Sequence, residues 1–181
     1  WAGNSVRLGA ITAALGVLAA LVLAFSARRA PGAVTRGVLQ LASLGYAIPG
    51  AVVVAGLLLP VGWLQARWPE SGVGAVVTVT IWGLVWAYLV RFVSVALQSM
   101  QSGYARVPRS LDESARMLGA TGVELAARVH WPLLRRAGFA AGLLVFVDVM
   151  KELPATIVLR PFNTDTLAVV ANQLARDERL G

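Results

Sequence analysis

The chain has 181 residues, 57% of them hydrophobic and only 14% charged, with a formal charge of +7 and a mean hydropathy of +0.70. A soluble domain is roughly half apolar and about a quarter charged, so this composition excludes a disordered chain and points to a polytopic helical membrane protein. With no cysteine and a single histidine, His130, the chain cannot build a disulfide, a thiolate metal site or a multi-histidine metal cluster by itself.

Four segments are apolar over the roughly 20 residues that a membrane span requires. They cover about 5–27, 37–59, 73–97 and 137–159. Gly9, Gly16, Gly45, Gly56 and Gly83 lie within them, and small residues let helices pack closely in lipid. Arg28, Arg29 and Arg36 follow the first segment. Arg106, Arg109, Arg116, Arg128, Arg135 and Arg136 lie in the stretch 98–136. The intervening gap, 60–72, carries only Arg67. Alternate gaps share a side, so these nine arginines mark one side, and the positive-inside rule makes it cytoplasmic. The N-terminus and the tail after Arg160 then face outward. This placement of the basic residues explains the charge without nucleic acid. Trp63 and Trp68 on the outer side, and Tyr104 and Trp131 on the inner side, are expected as interfacial anchors.

The stretch 105–132 is too polar to span and too patterned to be slack. Ser110 with Glu113 three residues on reads as a capping box, and Pro108 suits a helix start. Leu111, Ala115 and Leu118 fall on one helical face, and Gly119 is a natural stop. Thr121 with Glu124 reads as a second capping box, opening a second short helix that Pro132 limits. The expected product is helix, tight glycine turn, helix. Such a unit presents a knob to a partner or rests on lipid headgroups, and the pattern alone does not choose. His130 is expected to pack within this loop.

Within that loop stand Glu113-Ser114-Ala115, then Gly119, then Val129-His130-Trp131-Pro132. The spacing resembles the EAA loop of ABC importer permeases: Glu-Ala-Ala, a glycine four residues on, then Ile-x-Leu-Pro. Ser114, Val129 and Trp131 depart from that pattern by small-for-small or apolar-for-apolar changes. Gly45-Tyr46-Ala47-Ile48-Pro49-Gly50, the run 147–156 and the run 159–168 are similar to the ferric-iron type of these permeases. The resemblance covers nearly the whole chain. It implies an all-α helical bundle of the MetI-like, type I importer architecture, with the loop 105–132 as the ATPase-coupling element. Glu113, Ser114, Ala115, Gly119, Val129 and Pro132 would carry that coupling. It further implies a separate dimer of ATP-binding subunits, an extracytoplasmic substrate-binding protein, a second permease half and a bacterial inner-membrane location. By this resemblance the chain, which starts at Trp1, is expected to be a second-half fragment of a longer protein, with a closing span after Gly181. Permeases for thiamine, sulfate, polyamine and phosphonate-type compounds share the loop, so the cargo rests on the two span motifs.

The residues add physical expectations of their own. Pro49-Gly50 in the second segment should kink or break the helix, beside the translocation path or as a packing device. Asp148, Lys151 and Glu152 lie in the fourth apolar segment, where each charge costs about 2.5–3.5 kcal/mol. Asp148 reaches Lys151 at i+3 and Glu152 at i+4, so one helical face is expected to carry all three. An Asp148–Lys151 pair leaves Glu152 to pair with Arg91 or to face a polar path, and Pro154 permits a local break. Such charges either fix helix contacts or line and gate a path. Carboxylates suit a hard cation such as ferric iron, in transient contact rather than in a full cage. No metal ligand set or bound cofactor is assigned. The chain has no Gly-rich phosphate loop ending in Gly-Lys-Ser/Thr, so ATP would belong to a partner subunit. An intramembrane enzyme is the remote alternative: Ser94, Ser99 and Ser102 have no histidine within a span, and Lys151 argues against a free Asp148–Glu152 dyad. A basic knob that recruits some other partner without transport is the third reading.

Overall fold

A computed structural model of the chain describes residues 1–177; Gly181, after which a further span is expected, lies outside them. No β-strand forms among the described residues. The first helix, α1 (Ala2–Arg29), buries Ser5, Leu8, Gly9, Thr12, Ala13, Gly16, Ala20 and Ala24. These recur at three- and four-residue steps on one face, and most are small, so neighbouring helices come close. Those neighbours are α5 (Ile81–Tyr104) and α8 (Trp131–Met150), and these three helices make the most extensive contacts among the described residues. Tyr88, Phe92, Leu97 and Met100 of α5 meet Ala20 and Ala24 of α1 and Ala141 and Val145 of α8 in the core.

Three of the four expected continuous segments are divided. The second is split into α2 (Ala33–Leu44), a 3₁₀ turn at Gly45–Ala47, and α3 (Gly50–Arg67). Pro49 has no N–H to continue the ladder. A Cβ at Gly45 would stand 1.8 Å from the Val90 carbonyl oxygen, so the 3₁₀ turn crosses α5 backbone to backbone. The third yields α4 (Val73–Val79) and α5, parted at Thr80, whose extended backbone and side-chain oxygen cap α5 through the Trp82 N–H. That helix then runs on to Tyr104, seven residues past the expected end, because Gln98, Ser99, Gln101 and Ser102 tolerate a helix where it leaves the apolar layer. In the fourth, α8 stops at Met150 and α9 (Pro154–Leu159) begins at the proline. The last described helix is α10 (Leu167–Arg176), capped by Thr166.

By length and composition α1, α3 and α5 are able to cross a membrane. In α8, Arg135 and Arg136 near its start and Asp148 near its end bracket an apolar middle. Leu18, Val22, Trp82, Trp86, Leu143 and Leu144 are exposed on the outside of the bundle, so the helices are apolar on their outer as well as their inner faces. The two ends of α1 lie about 42 Å apart at 1.5 Å per residue. At one end, Asn4 Nδ2 donates to the carbonyls of Asn163 (3.3 Å) and Asp165 (3.2 Å), and the Leu167 N–H donates to Ser5 Oγ at 2.8 Å. At the other end, Arg28 and Arg29 meet the loop 105–132.

Candidate functional site

The loop folds as a knob at the arginine-rich end. Pro108, in extended conformation, precedes α6 (Arg109–Met117), so the helix starts one residue before Ser110 and the Ser110–Glu113 capping box does not form. Gly119 has φ +85°. Its N–H bonds the Arg116 carbonyl at 2.9 Å, and the Ala120 N–H bonds the Ala115 carbonyl at 3.0 Å, a Schellman closure that needs the left-handed conformation. The Thr121–Glu124 box is complete and opens α7 (Gly122–Glu124). Hydrogen bonds from the Thr121 backbone and hydroxyl hold the Glu124 carboxyl below the usual range. Pro132 does not end the second helix. A π turn at Leu125–His130 widens the backbone ahead of it, and the proline enters the first turn of α8, where its missing N–H is tolerated.

The knob inverts the usual burial. Met117, Leu118 and Val123 are 88%, 90% and 80% exposed, and Leu111 is exposed as well. The expected apolar face of α6 therefore points outward. The one buried residue of α6 is Asp112. Glu113, Ser114, Gly119 and Pro132 are exposed, while Ala115 and Val129 are half-buried. The residues of the sequence motif thus form the surface of the knob and its turn.

Beneath it lies a closed polar network. Arg28 Nε donates to Asp112 Oδ2 at 2.7 Å, and Arg28 Nη2 donates to Asp112 Oδ1 at 3.1 Å. The remaining guanidinium hydrogens go to the carbonyls of Val107 (2.9 Å), Pro108 (2.9 Å) and Tyr104 (3.4 Å). His130, fully buried, places Nε2 at 2.9 Å from Asp112 Oδ1 and Nδ1 at 3.1 Å from the Tyr104 hydroxyl. Phe25 and Tyr104 flank its ring edge-on at 5.4 and 5.2 Å. Burial opposes the charge on Asp112, but the bonds from Arg28 and His130 outweigh it and hold the carboxyl below its ordinary range. Tyr104 is consequently buried in this network and is not the interfacial anchor expected of it. Trp63 and Trp68, both exposed, stack edge-on at 6.3 Å.

The second cluster lies where the helix breaks meet. Because α8 ends at Met150, Asp148, Lys151 and Glu152 do not share one face. Asp148 pairs with Lys151 at 2.9 Å, with the lysine largely exposed. Glu152 turns inward and pairs with Arg91 of α5. A Cβ at Gly50 would lie 2.6 Å from Glu152 Oε1, 3.0 Å from Arg91 Nη1 and 3.4 Å from Pro154 Cβ. The Pro49-Gly50 break therefore delivers the bare start of α3 onto this ion pair, where a Cβ would press on both charged side-chain ends. The pair also borders α9: the Ala155 N–H reaches Glu152 Oε1 at 3.4 Å, and Tyr88 and Thr156 share a hydrogen bond of 2.6 Å alongside. Among the described residues, no group of three His, Asp or Glu side chains is placed to hold a metal ion. A groove of about 690 Å³ between α3, α4 and α5, lined by Val53, Leu57, Val77, Trp86 and Val90 among other apolar residues, lies nearby.

Sequence reasoning singled out the surface of the knob but missed Asp112 and Arg28 as its anchor. One signal was available: Asp112 and His130 are polar residues in helices whose apolar residues are too few to hold them down. The Arg91–Glu152 pair was legible, since a carboxylate within an apolar run demands a partner.

No family model matches the chain. The chain is similar to the Fe(3+)-transport system permease protein FbpB 2 of Haemophilus influenzae, at 24% identity over 166 residues that cover 92% of this chain and 31% of that protein. It is also similar to the probable ABC transporter permease protein y4fN of Sinorhizobium fredii, at 25% identity over 166 residues, covering 92% and 28%. The chain therefore spans about three-tenths of the length of these curated relatives, and nearly all of it resembles ABC-transporter permeases, one of them of the ferric-iron type.

Proposed function

We propose that this chain, similar to ABC-transporter permeases and built as an all-α bundle with spanning helices, is part of the membrane subunit of an ATP-driven importer for ferric iron. The carrying observation is the knob: apolar Met117, Leu118 and Val123 displayed on short helices whose polar side is tied to the bundle. An exposed apolar surface on a rigid base is suited to seat in a protein cleft. In this reading the cleft belongs to an ATP-binding subunit, one of a dimer, and ATP is held there. Glu113, Ser114, Ala115, Gly119, Val129 and Pro132 shape the contact. The stretch 98–136 is cytoplasmic, the bundle sits in the bacterial inner membrane, and a second permease half completes the path. An extracytoplasmic binding protein delivers cargo to the opposite end. Pro49, Gly50, Asp148, Lys151, Glu152 and Pro154 surround a gate on that path, where the Arg91–Glu152 pair joins three helix ends. Ferric iron is supported by the name of the Haemophilus relative and by the resemblance of the second and fourth segments.

The test is uptake of radiolabelled ferric iron in cells lacking the full-length gene, with the gene restored as wild type or as Gly119→Val, and labelled thiamine as control. Restored iron uptake that collapses with Gly119→Val, while the protein remains in the membrane, is the expected result. Thiamine uptake following the gene instead would move the cargo and keep the architecture. Full iron uptake by Gly119→Val would remove the knob from the mechanism.

A further inference from the structure

A helix held by apolar contacts can slide over its neighbours, because such contacts are not directional. The α6 helix is not held that way. Its apolar residues face outward, its one buried side chain is Asp112, and its principal packing partner is the π turn that contains His130. The register of α6 on the bundle is therefore set by directional bonds. Arg28 spends all five of its guanidinium hydrogens there: two on Asp112 and three on the carbonyls of Tyr104, Val107 and Pro108, which join α5 to α6. His130 closes the other side, with Nε2 at 2.9 Å from Asp112 Oδ1 and Nδ1 at 3.1 Å from the Tyr104 hydroxyl. The adjacent Arg29 lies against the start of α7, where a Cβ on Gly122 would meet its Nη1 at 2.0 Å. Four elements, α1, α5, α6 and the π turn leading into α8, thus converge on one carboxylate. Displacing α6 by a turn would strand that carboxylate, buried and unpaired, which makes the arrangement all-or-none.

We propose that Arg28, Asp112, His130 and Tyr104 form a latch that makes the surface knob move as one body with the ends of α1 and α5, with Asp112 and His130 as positioning residues. The inference rests on the reading of the knob as the ATPase contact. Force applied at Met117 and Leu118 then reaches α1 through the Asp112–Arg28 pair, not through lateral packing. The planar five-donor guanidinium is required, since lysine offers three donors from one point and cannot hold Asp112 and the carbonyls together.

The experiment uses the full-length permease, without cysteines, assembled with its ATP-binding subunit in lipid nanodiscs. Spin labels are placed at Ser110→Cys on α6, exposed and outside the apolar contact surface, and Leu18→Cys on α1, and their separation is measured with and without ATP trapped by vanadate. In the wild type the separation stays the same in both states. In Asp112→Ala it matches the wild type without nucleotide and shifts by about 5 Å, one helical turn, when ATP is trapped, while ATP hydrolysis persists. If Asp112→Ala is broad even without nucleotide, His130→Gln against His130→Leu decides: glutamine retains a donor for Asp112 and holds the wild-type separation, and leucine loses it. A wild-type separation that changes with ATP overturns the latch, as does a set of variants that all keep the wild-type separation. A wild type that binds no ATP-binding subunit overturns the functional reading, and the latch falls with it.

Discussion

Glu152 occupies a position where a lone carboxylate is expensive, and it is paired with Arg91 on a different helix. Both side chains are mostly buried, so removing one partner leaves the other as an uncompensated charge, a loss of about 3–5 kcal/mol. Glu152→Gln should therefore lower both the thermal stability of the purified protein and its transport. The double variant Glu152→Gln with Arg91→Gln separates the two effects, because it removes both charges together. Its melting temperature should return toward wild type while uptake stays low, as a gate requires. Recovery of uptake along with stability would make the pair purely structural. Gly119 and Gly50 are the other residues at which a single atom decides the outcome. The first needs a left-handed backbone, which costs an L-residue roughly 1–2 kcal/mol, and the second needs bare space against an ion pair.

The breaks, rather than the helices, do the positioning. At the 3₁₀ turn, Gly45 has an ordinary right-handed backbone, so alanine there is excluded by packing alone, against the carbonyl oxygens of Val90 and, at 3.3 Å, Arg91. A backbone atom cannot swing away. Gly45→Ala should cost about 1–3 kcal/mol by overpacking and separate the turn from α5. By contrast, Gly122→Ala meets only the far end of the Arg29 side chain, which can rotate aside. It should melt within about 0.5 kcal/mol of wild type, as substitutions away from packed backbone do. Thermal unfolding in detergent compares the two directly, and equal losses would mean that the crossing at Gly45 is looser than the geometry describes. At Pro154 the same logic applies in reverse. The proline cannot continue α8, so the chain turns at 151–153 and sends Glu152 inward while Lys151 points out.

Across the whole molecule, the arginines and the contacts agree on two distinct ends. Arg28, Arg29 and the knob share one end, and Asn4, Ser5 and the segment around Asn163 share the other. Phe162, wholly exposed, marks the second end as Met117 marks the first. The orientation is testable in the full-length protein once any cysteine outside this chain, which itself has none, is replaced. In intact spheroplasts, a membrane-impermeant maleimide should label Phe162→Cys and leave Arg36→Cys, on the arginine-rich side but outside the knob, unlabelled, and inverted vesicles should give the opposite pattern. Labelling of both from one side would break the assignment of the two ends.

Composition and period were enough to establish an all-helical chain with apolar spans, because the cost of burying charge and open backbone in lipid leaves few alternatives. Local chemistry was equally legible at Gly119, where only the left-handed region closes the turn, and at Thr121–Glu124, where the box satisfies its own donors. The interruptions near Pro49 and Pro154 could be anticipated from the missing N–H. The segment ends could not, since apolar composition continues smoothly across Gly45 and Thr80 and only contact with α5 reveals why the chain turns there. The outward face of Leu111 and Leu118 and the inward face of Asp112 ran against the hydrophobic pattern. A short helix with so little apolar surface is oriented by whichever charge finds a partner, and Arg28 lies 84 residues away in sequence. Sequence by itself determined the class of molecule and the turns that depend on one residue's backbone. Tertiary structure decided which charges meet, because ion pairing depends on distances between helices that no local pattern encodes.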